Sequence, residues 1–166
     1  MLLGLSKIID CPGGVVPFET SLDLSQMDFG GRQLLPEPVQ ATGRVRNTAG
    51  VLVLTGELTT RLHGQCDRCT KPFVRDFSLA LEAVLVPKLE NEDYDDPWTF
   101  ELVGDQADLD EILTNAIVLE MDSKLLCSED CKGLCPRCGA DLNLGPCSCK
   151  PETDPRFAVL QQLLNK

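Results

Sequence analysis

Eight of the nine cysteines in this chain fall in four close pairs, and this spacing constrains the fold more than any other feature of the sequence. A zinc ion takes four soft ligands at about 2.3 Å from each sulfur, and one tight turn can present two thiolates to the same ion. Four pairs therefore fit two tetrahedral sites, and we expect two structural Zn²⁺ ions. The predicted ligands are Cys66, Cys69, Cys127, Cys131, Cys135, Cys138, Cys147 and Cys149.

The two later pairs are expected to share one local site. Cys135-Pro-Arg-Cys138 has a proline inside the turn and Gly139 just after it, which is typical of a zinc knuckle whose backbone amides point at the sulfurs. Loop-forming residues from Asn143 to Pro146 then bring the last pair back. The first two pairs are distant in sequence, and they would complete the other site by joining a sheet to the end of a helix.

Other interpretations of the cysteines remain open at this point. In an alternative partition, one ion is bound by Cys127, Cys131, Cys135 and Cys138. The other ion is then bound by Cys66, Cys69, Cys147 and Cys149. An iron–sulfur cluster also needs four thiolates, although the knuckle sequence and polar surroundings favour zinc. A thioredoxin-like redox role would need a βαβ context that the pattern does not show. Cys11 stands outside the pairs, and we expect it to be a small buried hydrophobic residue.

Composition points to a reducing compartment and away from membranes. No signal peptide is recognisable and no apolar run approaches the roughly 18 residues of a membrane span, so we expect a cytoplasmic protein that binds metal through its cysteines. The formal charge is −11, from 15 basic and 26 acidic residues. Such a surplus repels phosphate backbones, and any nucleic-acid role therefore needs a local basic patch.

Three strands and one helix are predicted from hydrophobic periodicity. Residues from Val39 to Arg46 alternate in polarity, residues 47–50 supply a turn, and Val51 to Leu62 alternate again, which predicts a β-hairpin. A third antiparallel strand is predicted from Phe73 to Val86. Asp108 precedes apolar residues at helical spacing, which predicts a helix from Leu109 to Met121 packed on the sheet.

The remaining segments complete an α+β fold: an antiparallel β-sheet with a packed helix and a zinc-knuckle C-terminal segment. Residues 1–38 are expected to hold one or two strands and loops. An acidic loop is expected at about 88–108, within which Trp98, Phe100, Leu102 and Val103 could form a short strand. A final short helix is predicted from Asp154-Pro155 onward. We divide the chain into a sheet part, 1–126, and a zinc-knuckle tail with the final helix, 127–166, packed on it.

Basic residues concentrate between Gly43 and Phe77, where the local balance is +3. Arg44, Arg46 and Arg61 share the polar parity of the hairpin strands, so they could contact phosphates beside the first zinc site. An ordinary solvated sheet face explains the same pattern about as well. The candidate RNA-binding residues are Arg44, Arg46, Arg61, Arg68, Lys71 and Arg75.

Few residues are suited to catalysis. His63 is the only histidine, eight cysteines leave no open metal position, and the sequence has no glycine-rich phosphate loop or nucleophile elbow. We therefore expect no enzyme and no small-molecule substrate.

The C-terminal third carries a specific resemblance. The sequence LLCSEDCKGLCPRCGADLN from residue 125, then GPCSC from 145 and DPRFAVL from 154, resembles the YceD family of large ribosomal RNA subunit accumulation proteins. The resemblance takes in the first cysteine pair and covers about residues 40–164. It implies a non-enzymatic factor that supports accumulation or processing of large-subunit (23S) ribosomal RNA. It also favours the first ligand partition, because the last four cysteines are absent from some branches of the family.

Two classes of partner follow from the resemblance and the charge. One is large-subunit precursor ribosomal RNA, contacted through the basic residues. The other is a ribosomal protein or assembly enzyme, bound by a zinc-bearing adaptor. Zinc-bound thiolates would bring the formal charge to about −15, which opposes direct RNA binding and keeps the protein partner as the alternative.

Overall fold

The protein is described here from a computed structural model, in which residues 1–88 and 96–149 are described. Seven strands and two helices occur in these residues. In chain order they are β1 Leu2–Gly4, α1 Ser6–Ile9, β2 Val15–Leu22, β3 Val39–Thr48, β4 Val51–Gln65, β5 Pro72–Val86, β6 Thr99–Glu101, β7 Gln106–Asp108 and α2 Leu109–Glu120.

A five-stranded sheet with the order β2-β3-β4-β5-β6 forms the body of the protein. β2 to β5 run antiparallel to their neighbours, whereas the short β6 pairs parallel to β5. β1 and β7 form a separate two-stranded antiparallel sheet. The mostly antiparallel sheet with a packed helix agrees with the predicted α+β class.

The predicted hairpin is present as β3 and β4, joined by a two-residue turn. Ala49 and Gly50 both have positive φ, at 52° and 93°, as a turn that follows the twist of the strands requires. Asn47 stabilises this turn, because its side-chain oxygen accepts a hydrogen bond from the Gly50 N–H at 2.8 Å. The same buried side chain donates to the carbonyls of Ile8 and Ile9, which fastens α1 to the hairpin.

One face of the sheet packs against α2 to make the hydrophobic core. The predicted inward side chains of β4 are buried, and so are those on one side of α2. Asp108 caps the helix, since its carboxylate accepts a hydrogen bond from the Asp110 N–H at 3.1 Å. The helix ends at Glu120, one residue before the predicted end. The core residues from these elements are Leu52, Leu54, Leu58, Leu62, Leu109, Ile112, Leu113, Ala116 and Ile117.

Strands β3 and β4 approach each other closely at a pair of facing glycines. Gly43 lies opposite Gly56, and a Cβ on Gly43 would come within 2.4 Å of the Thr55 carbonyl oxygen and 2.6 Å of the Phe18 ring. No side chain fits there, so the Phe18 ring can pack directly on the backbone of the sheet.

Three features differ from the sequence-based expectations. Cys11 is exposed, so the prediction that it is buried was wrong: it lies in the turn between α1 and β2, outside the core. The short helix α1 was not predicted. The expected acidic loop at 88–108 contains β7, which was not expected, in addition to β6, which lies in the stretch considered able to form a short strand; buried Phe100 and Leu102 anchor that stretch to the core.

Two other expectations cannot be compared. The helix from Asp154 and residues 89–95 of the acidic loop lie outside the described residues. Within the described part of the chain, no helix is long and apolar enough to cross a membrane.

Candidate metal centres

The first group of four cysteines, which we call centre 1, joins the β4–β5 turn to the segment after α2. Cys66 and Cys69 come from the turn, and Cys127 and Cys131 come from the segment. All four sulfurs lie within 4.8 Å of one another, with 3.7 Å between those of Cys66 and Cys131 and 3.6 Å between those of Cys69 and Cys127. Four sulfurs bound tetrahedrally to zinc at 2.3 Å would be about 3.8 Å apart. The spacing of centre 1 thus fits such an ion.

The second group, centre 2, is local in sequence. Its ligand candidates are Cys135, Cys138, Cys147 and Cys149, whose sulfurs also lie within 4.8 Å of one another. The structure therefore brings the cysteines together in the first of the two partitions considered above, and the alternative grouping is not observed.

A backbone knuckle presents the first two sulfurs of centre 1. The Thr70 N–H donates to the Cys66 carbonyl at 2.8 Å, and the Cys66 N–H donates to the Lys71 carbonyl at 2.9 Å. Thr70 closes the turn with φ 60°, a left-handed conformation that is costly for a β-branched residue.

Centre 2 contains the same knuckle. The Gly139 N–H donates to the Cys135 carbonyl at 2.9 Å, and the Cys135 N–H donates to the Ala140 carbonyl at 2.8 Å. Here the left-handed position, at φ 70°, is occupied by glycine, which adopts it without strain. The two cysteine pairs thus share one local structure despite different sequences.

Electrostatics within each group favour a bound cation. Burial raises the pKa of Cys66, but backbone N–H groups that point at its sulfur outweigh burial and lower the pKa to about 6. The neighbouring sulfurs of Cys66 and Cys69 raise the pKa of Cys127 to about 12. In centre 2, backbone N–H groups of Cys138 and Arg137 lower the pKa of Cys135 to about 6. The pKa of Cys149 is raised to about 12, and the largest cause is the neighbouring Cys138 side chain.

Four thiolates so close together therefore cannot all be charged unless a cation neutralises them. A divalent ion would do so, since metal ligation deprotonates coordinating thiols. The all-sulfur donor set and near-tetrahedral spacing suit zinc, which leaves no open coordination position once four cysteines are bound.

Side chains around centre 1 hold its two segments together. Arg68 donates to the Cys131 carbonyl at 2.8 Å, and Asp67 accepts from the Leu125 N–H at 2.7 Å. Asp67 also pairs with Arg32 at 2.8 Å. Both contacts lower the pKa of Asp67, and the hydrogen bond from the Leu125 N–H has the larger effect. These contacts attach the end of α2 to the first knuckle independently of the metal.

A second set of contacts joins the two centres, and we call it the clasp. The Leu134 N–H donates to the Arg68 carbonyl at 3.1 Å, and Gly133 packs so closely on Arg68 that a Cβ would lie 2.9 Å from that carbonyl. Lys71 forms an ion pair with Asp141 at 2.6 Å. The clasp thus places residues of the centre 2 loop directly on the first knuckle.

Asn143 completes the clasp at a ligand. Its side-chain nitrogen lies 3.5 Å from the Cys131 sulfur, and its side-chain oxygen accepts from the Lys132 N–H at 2.7 Å. Sequence reasoning treated Asn143 only as a loop former. Its link to a sulfur 12 residues earlier depends on the tertiary fold, and no sequence signal indicated it.

The six candidate RNA-binding residues do not form one free basic surface. Arg44 and Arg46 are exposed on the sheet face opposite α2, and Arg61 on the same face lies 3.8 Å from Asp76. The other three basic side chains are used within the protein. Arg68 binds the Glu129 and Cys131 carbonyls, Lys71 pairs with Asp141, and Arg75 pairs with Asp122.

Comparison with known families gives one match over most of the chain. The model described as "Large ribosomal RNA subunit accumulation protein YceD" matches residues 54–164. The matched stretch holds all eight paired cysteines.

Comparison with individual proteins agrees. An uncharacterized protein of Mycobacterium tuberculosis is 29% identical over 150 residues, which cover 89% of this chain and 70% of the relative. "Large ribosomal RNA subunit accumulation protein YCED homolog 1, chloroplastic" of Zea mays is 28% identical over 144 residues, covering 69% of this chain and 49% of that protein. The Arabidopsis thaliana protein of the same name is 31% identical over 72 residues, or 43% and 22% of the two chains. No solved structure matches.

Proposed function

Since this chain belongs to the YceD family of large ribosomal RNA subunit accumulation proteins, we propose that it is a non-enzymatic, zinc-stabilised factor that supports the accumulation of large-subunit ribosomal RNA in the cytoplasm. The observation that carries the proposal is the family match over 54–164, which includes both cysteine groups, most of β4, and all of β5 and α2. The family supplies the ribosomal context, and the two centres supply the stable scaffold.

The geometry of both centres favours a structural role for the metal. Each group offers four sulfurs, so a bound zinc would have no position left for water or substrate. When bound, the ion would neutralise the thiolates and fasten the segments that carry them. The single histidine, His63, lies 3.2 Å from the Glu37 carboxylate, and it belongs to neither cysteine group.

Direct contact with precursor RNA is the finer part of the proposal. Arg44, Arg46 and Arg61 lie on the same exposed face of the sheet. Arg44 and Arg46 belong to β3, and Arg61 belongs to the neighbouring strand β4. Guanidinium groups on a flat sheet can reach phosphates without rearrangement of the backbone. No Phe, Tyr or Trp side chain points outward on β2–β5, and the outward His63 pairs with Glu37, which favours phosphate contact over base stacking.

A protein-binding adaptor is the second candidate, and the internal use of basic side chains favours it. Arg68, Lys71 and Arg75 stabilise the protein itself, which leaves three of the six candidates for a partner. An adaptor would need no RNA contact, and its binding would lack the steep salt dependence of phosphate contacts.

Complementation of a strain that lacks the protein tests the proposed function. We expect the ratio of mature large-subunit to small-subunit ribosomal RNA to fall when the protein is removed. The wild-type chain should restore the ratio. Cys66→Ser should fail to restore it, because a centre with three thiolates binds zinc far more weakly.

Cys11→Ser is the matched control, since Cys11 is an exposed cysteine outside both centres. It should complement as well as wild type. An unchanged ribosomal RNA ratio in the deletion strain would contradict the proposed function.

A further inference from the structure

A hollow of about 550 Å³ lies on the sheet face opposite α2, and we call it the sheet hollow. It forms at a step in the sheet, because β3 begins at Val39 whereas β4 and β5 extend further, to Gln65 and from Pro72. Among the described residues that line it there is no cysteine of either metal centre. The outward strand residues of its lining are Gln40, Thr59, Arg61, Asp76 and Ser78.

Short polar side chains form one row across the strands at this hollow. The register pairs Thr59 with Gln40 on one side and with Ser78 on the other. Gln40 is held in place, since its side-chain nitrogen donates to the Ser21 hydroxyl at 3.1 Å. Among the described residues, the hydroxyls of Thr59 and Ser78 have no hydrogen-bond partner. Both hydroxyls are therefore available to a ligand, as donors and as acceptors.

The charge inside the sheet hollow is unfavourable for a phosphate group. Arg61 is the only cation among the described residues that line it, and the carboxylates of Glu37 and Asp76 line it as well. The Arg61 Nε lies 3.8 Å from the Asp76 Oδ1, and both side chains are exposed. A neutral hydrogen-bonding group is thus favoured inside the hollow, whereas the exposed guanidinium remains accessible to an anion beside it.

The lining also disfavours an apolar segment or a stacked base. Its outward strand side chains are all polar, and Phe77 lies on the inward side of β5, packed against the core. A hydroxyl group next to an anion fits both the free hydroxyls and the neighbouring guanidinium. In a ribonucleotide the 2′-hydroxyl and the 3′-phosphate are attached to adjacent carbons, and DNA lacks this hydroxyl.

We propose that the sheet hollow binds the ribose 2′-hydroxyl of an RNA nucleotide, with Thr59 and Ser78 as its hydrogen-bond partners and Arg61 at the adjoining phosphate. These contacts would make the protein distinguish RNA from DNA, because a site built to bind a hydroxyl group rejects an analogue that lacks it. The inference deepens the proposed function by naming the chemical group that is recognised, and it rests on the proposed direct contact with precursor RNA.

Comparison of RNA with 2′-fluoro RNA tests the proposal on the zinc-loaded full chain. The 2′-fluoro nucleotide keeps the sugar conformation of RNA but cannot donate a hydrogen bond. Wild type should bind a large-subunit precursor fragment about threefold to tenfold more tightly than its 2′-fluoro counterpart, as expected for one or two hydrogen bonds. Thr59→Val combined with Ser78→Ala should bring the two affinities to within about twofold. The salt slope should not change, because no charge is removed.

The matched control is Thr42→Val combined with Thr55→Val, which removes two hydroxyls from the same sheet face outside the hollow. It should keep the wild-type preference for RNA. Arg61→Ala should weaken binding of both RNAs alike and lower the salt slope by about 0.7 to 0.9, the value for one phosphate contact. Thermal unfolding checks the fold of each variant, and Ser78→Ala alone, which should lower the preference in part, replaces the double variant if that does not fold.

Four results overturn the proposal. They are equal binding of the two RNAs to wild type, loss of the preference in the threonine control, an unchanged preference in the hollow variant, and no binding of RNA at all. Photocrosslinking in cells adds a test of the class of partner. A photoreactive residue at position 78 should crosslink to RNA more than one at position 115 on α2, and a protein product without RNA contradicts the proposal.

The ribosomal RNA ratio of the deletion strain separates this inference from the proposed function. A lower ratio together with equal binding of the two RNAs would contradict the role of the sheet hollow and leave the proposed function in place. An unchanged ratio would contradict the proposed function itself.

Discussion

Thr70 and Gly139 occupy equivalent backbone positions in the two knuckles. Both positions are left-handed, a conformation that glycine adopts easily and threonine does not. Both have positive φ, at 60° and 70°, and both donate to the carbonyl of the first cysteine in the pair. A β-branched residue in this region is strained by about 1 to 3 kcal/mol. The structure around centre 1 must therefore hold Thr70 in place, and centre 2 needs no such compensation.

Thr70→Gly is expected to stabilise the zinc-loaded protein by about 1 kcal/mol. Relief of the left-handed strain should exceed the extra entropy that glycine gains in the unfolded chain, which is about 0.5 to 1 kcal/mol. Chemical denaturation at fixed free zinc would measure the change. Gly139→Thr is the reciprocal variant, and it should destabilise, because a Cβ there meets no atom within 4 Å and only backbone strain is added. Equal stability of all three proteins would contradict the argument.

At the scale of elements, the C-terminal segment is more than a local zinc loop. The ligands of centre 2 are close in sequence, but the clasp attaches its loop to the first knuckle through Arg68, Lys71 and Cys131. Asp141 is central to this attachment, since Lys71 is the leading cause that lowers the pKa of its carboxylate. Folding of centre 2 should therefore support centre 1.

Cys147→Ser is expected to raise amide exchange beyond its own loop. With centre 2 weakened, the clasp should loosen, and the amides of Thr70 and Leu134 should exchange faster, while those in the middle of β3 and β4 should hardly change. Hydrogen exchange with mass spectrometry can resolve these segments. Cys11→Ser should leave all of them unchanged. Faster exchange confined to residues 135–149 would show that the clasp does not couple the centres.

At the scale of the whole molecule, the charges are unevenly distributed along the chain. Residues 89–123 hold 12 of the 26 acidic residues and no basic one, whereas Arg44 and Arg46 are exposed on the sheet face opposite α2. The rest of the chain is nearly neutral, so the overall charge of −11 does not by itself exclude an RNA contact on that face.

Replacement of Arg44, Arg46 and Arg61 by alanine is expected to weaken binding to a large-subunit precursor RNA fragment. The loss of three phosphate contacts should flatten the slope of log affinity against log salt by about 2 to 3. Stability should change little, because exposed surface substitutions usually cost within about 0.5 kcal/mol. Circular dichroism and zinc content check the fold.

Replacement of Lys7, Lys88 and Lys132 by alanine removes the same charge from other exposed positions and serves as the control for this RNA experiment. It should lower the salt slope much less. If the two triple variants bind RNA alike, the sheet face is not the RNA surface, and the adaptor becomes the better interpretation.

Much of the architecture could be predicted from the sequence because it depends on near neighbours. Alternation predicted β3, β4 and β5, and helical spacing after Asp108 predicted α2 to within one residue. The cysteine pairs were equally visible, since a knuckle is a turn of a few residues whose sulfurs converge by local geometry. These features hold wherever the segment sits in the fold.

Tertiary structure alone decided which distant groups meet. Cys66 reaches Cys131 across 65 residues only because the β4–β5 turn and the end of α2 lie side by side in the packed molecule. The same packing uses Arg68 and Lys71 inside the protein, links Asn143 to a sulfur, and exposes Cys11. Periodicity and spacing report the face or turn on which a residue lies. Which residues lie opposite that face depends on how the whole core packs. A local sequence pattern carries no information about that packing.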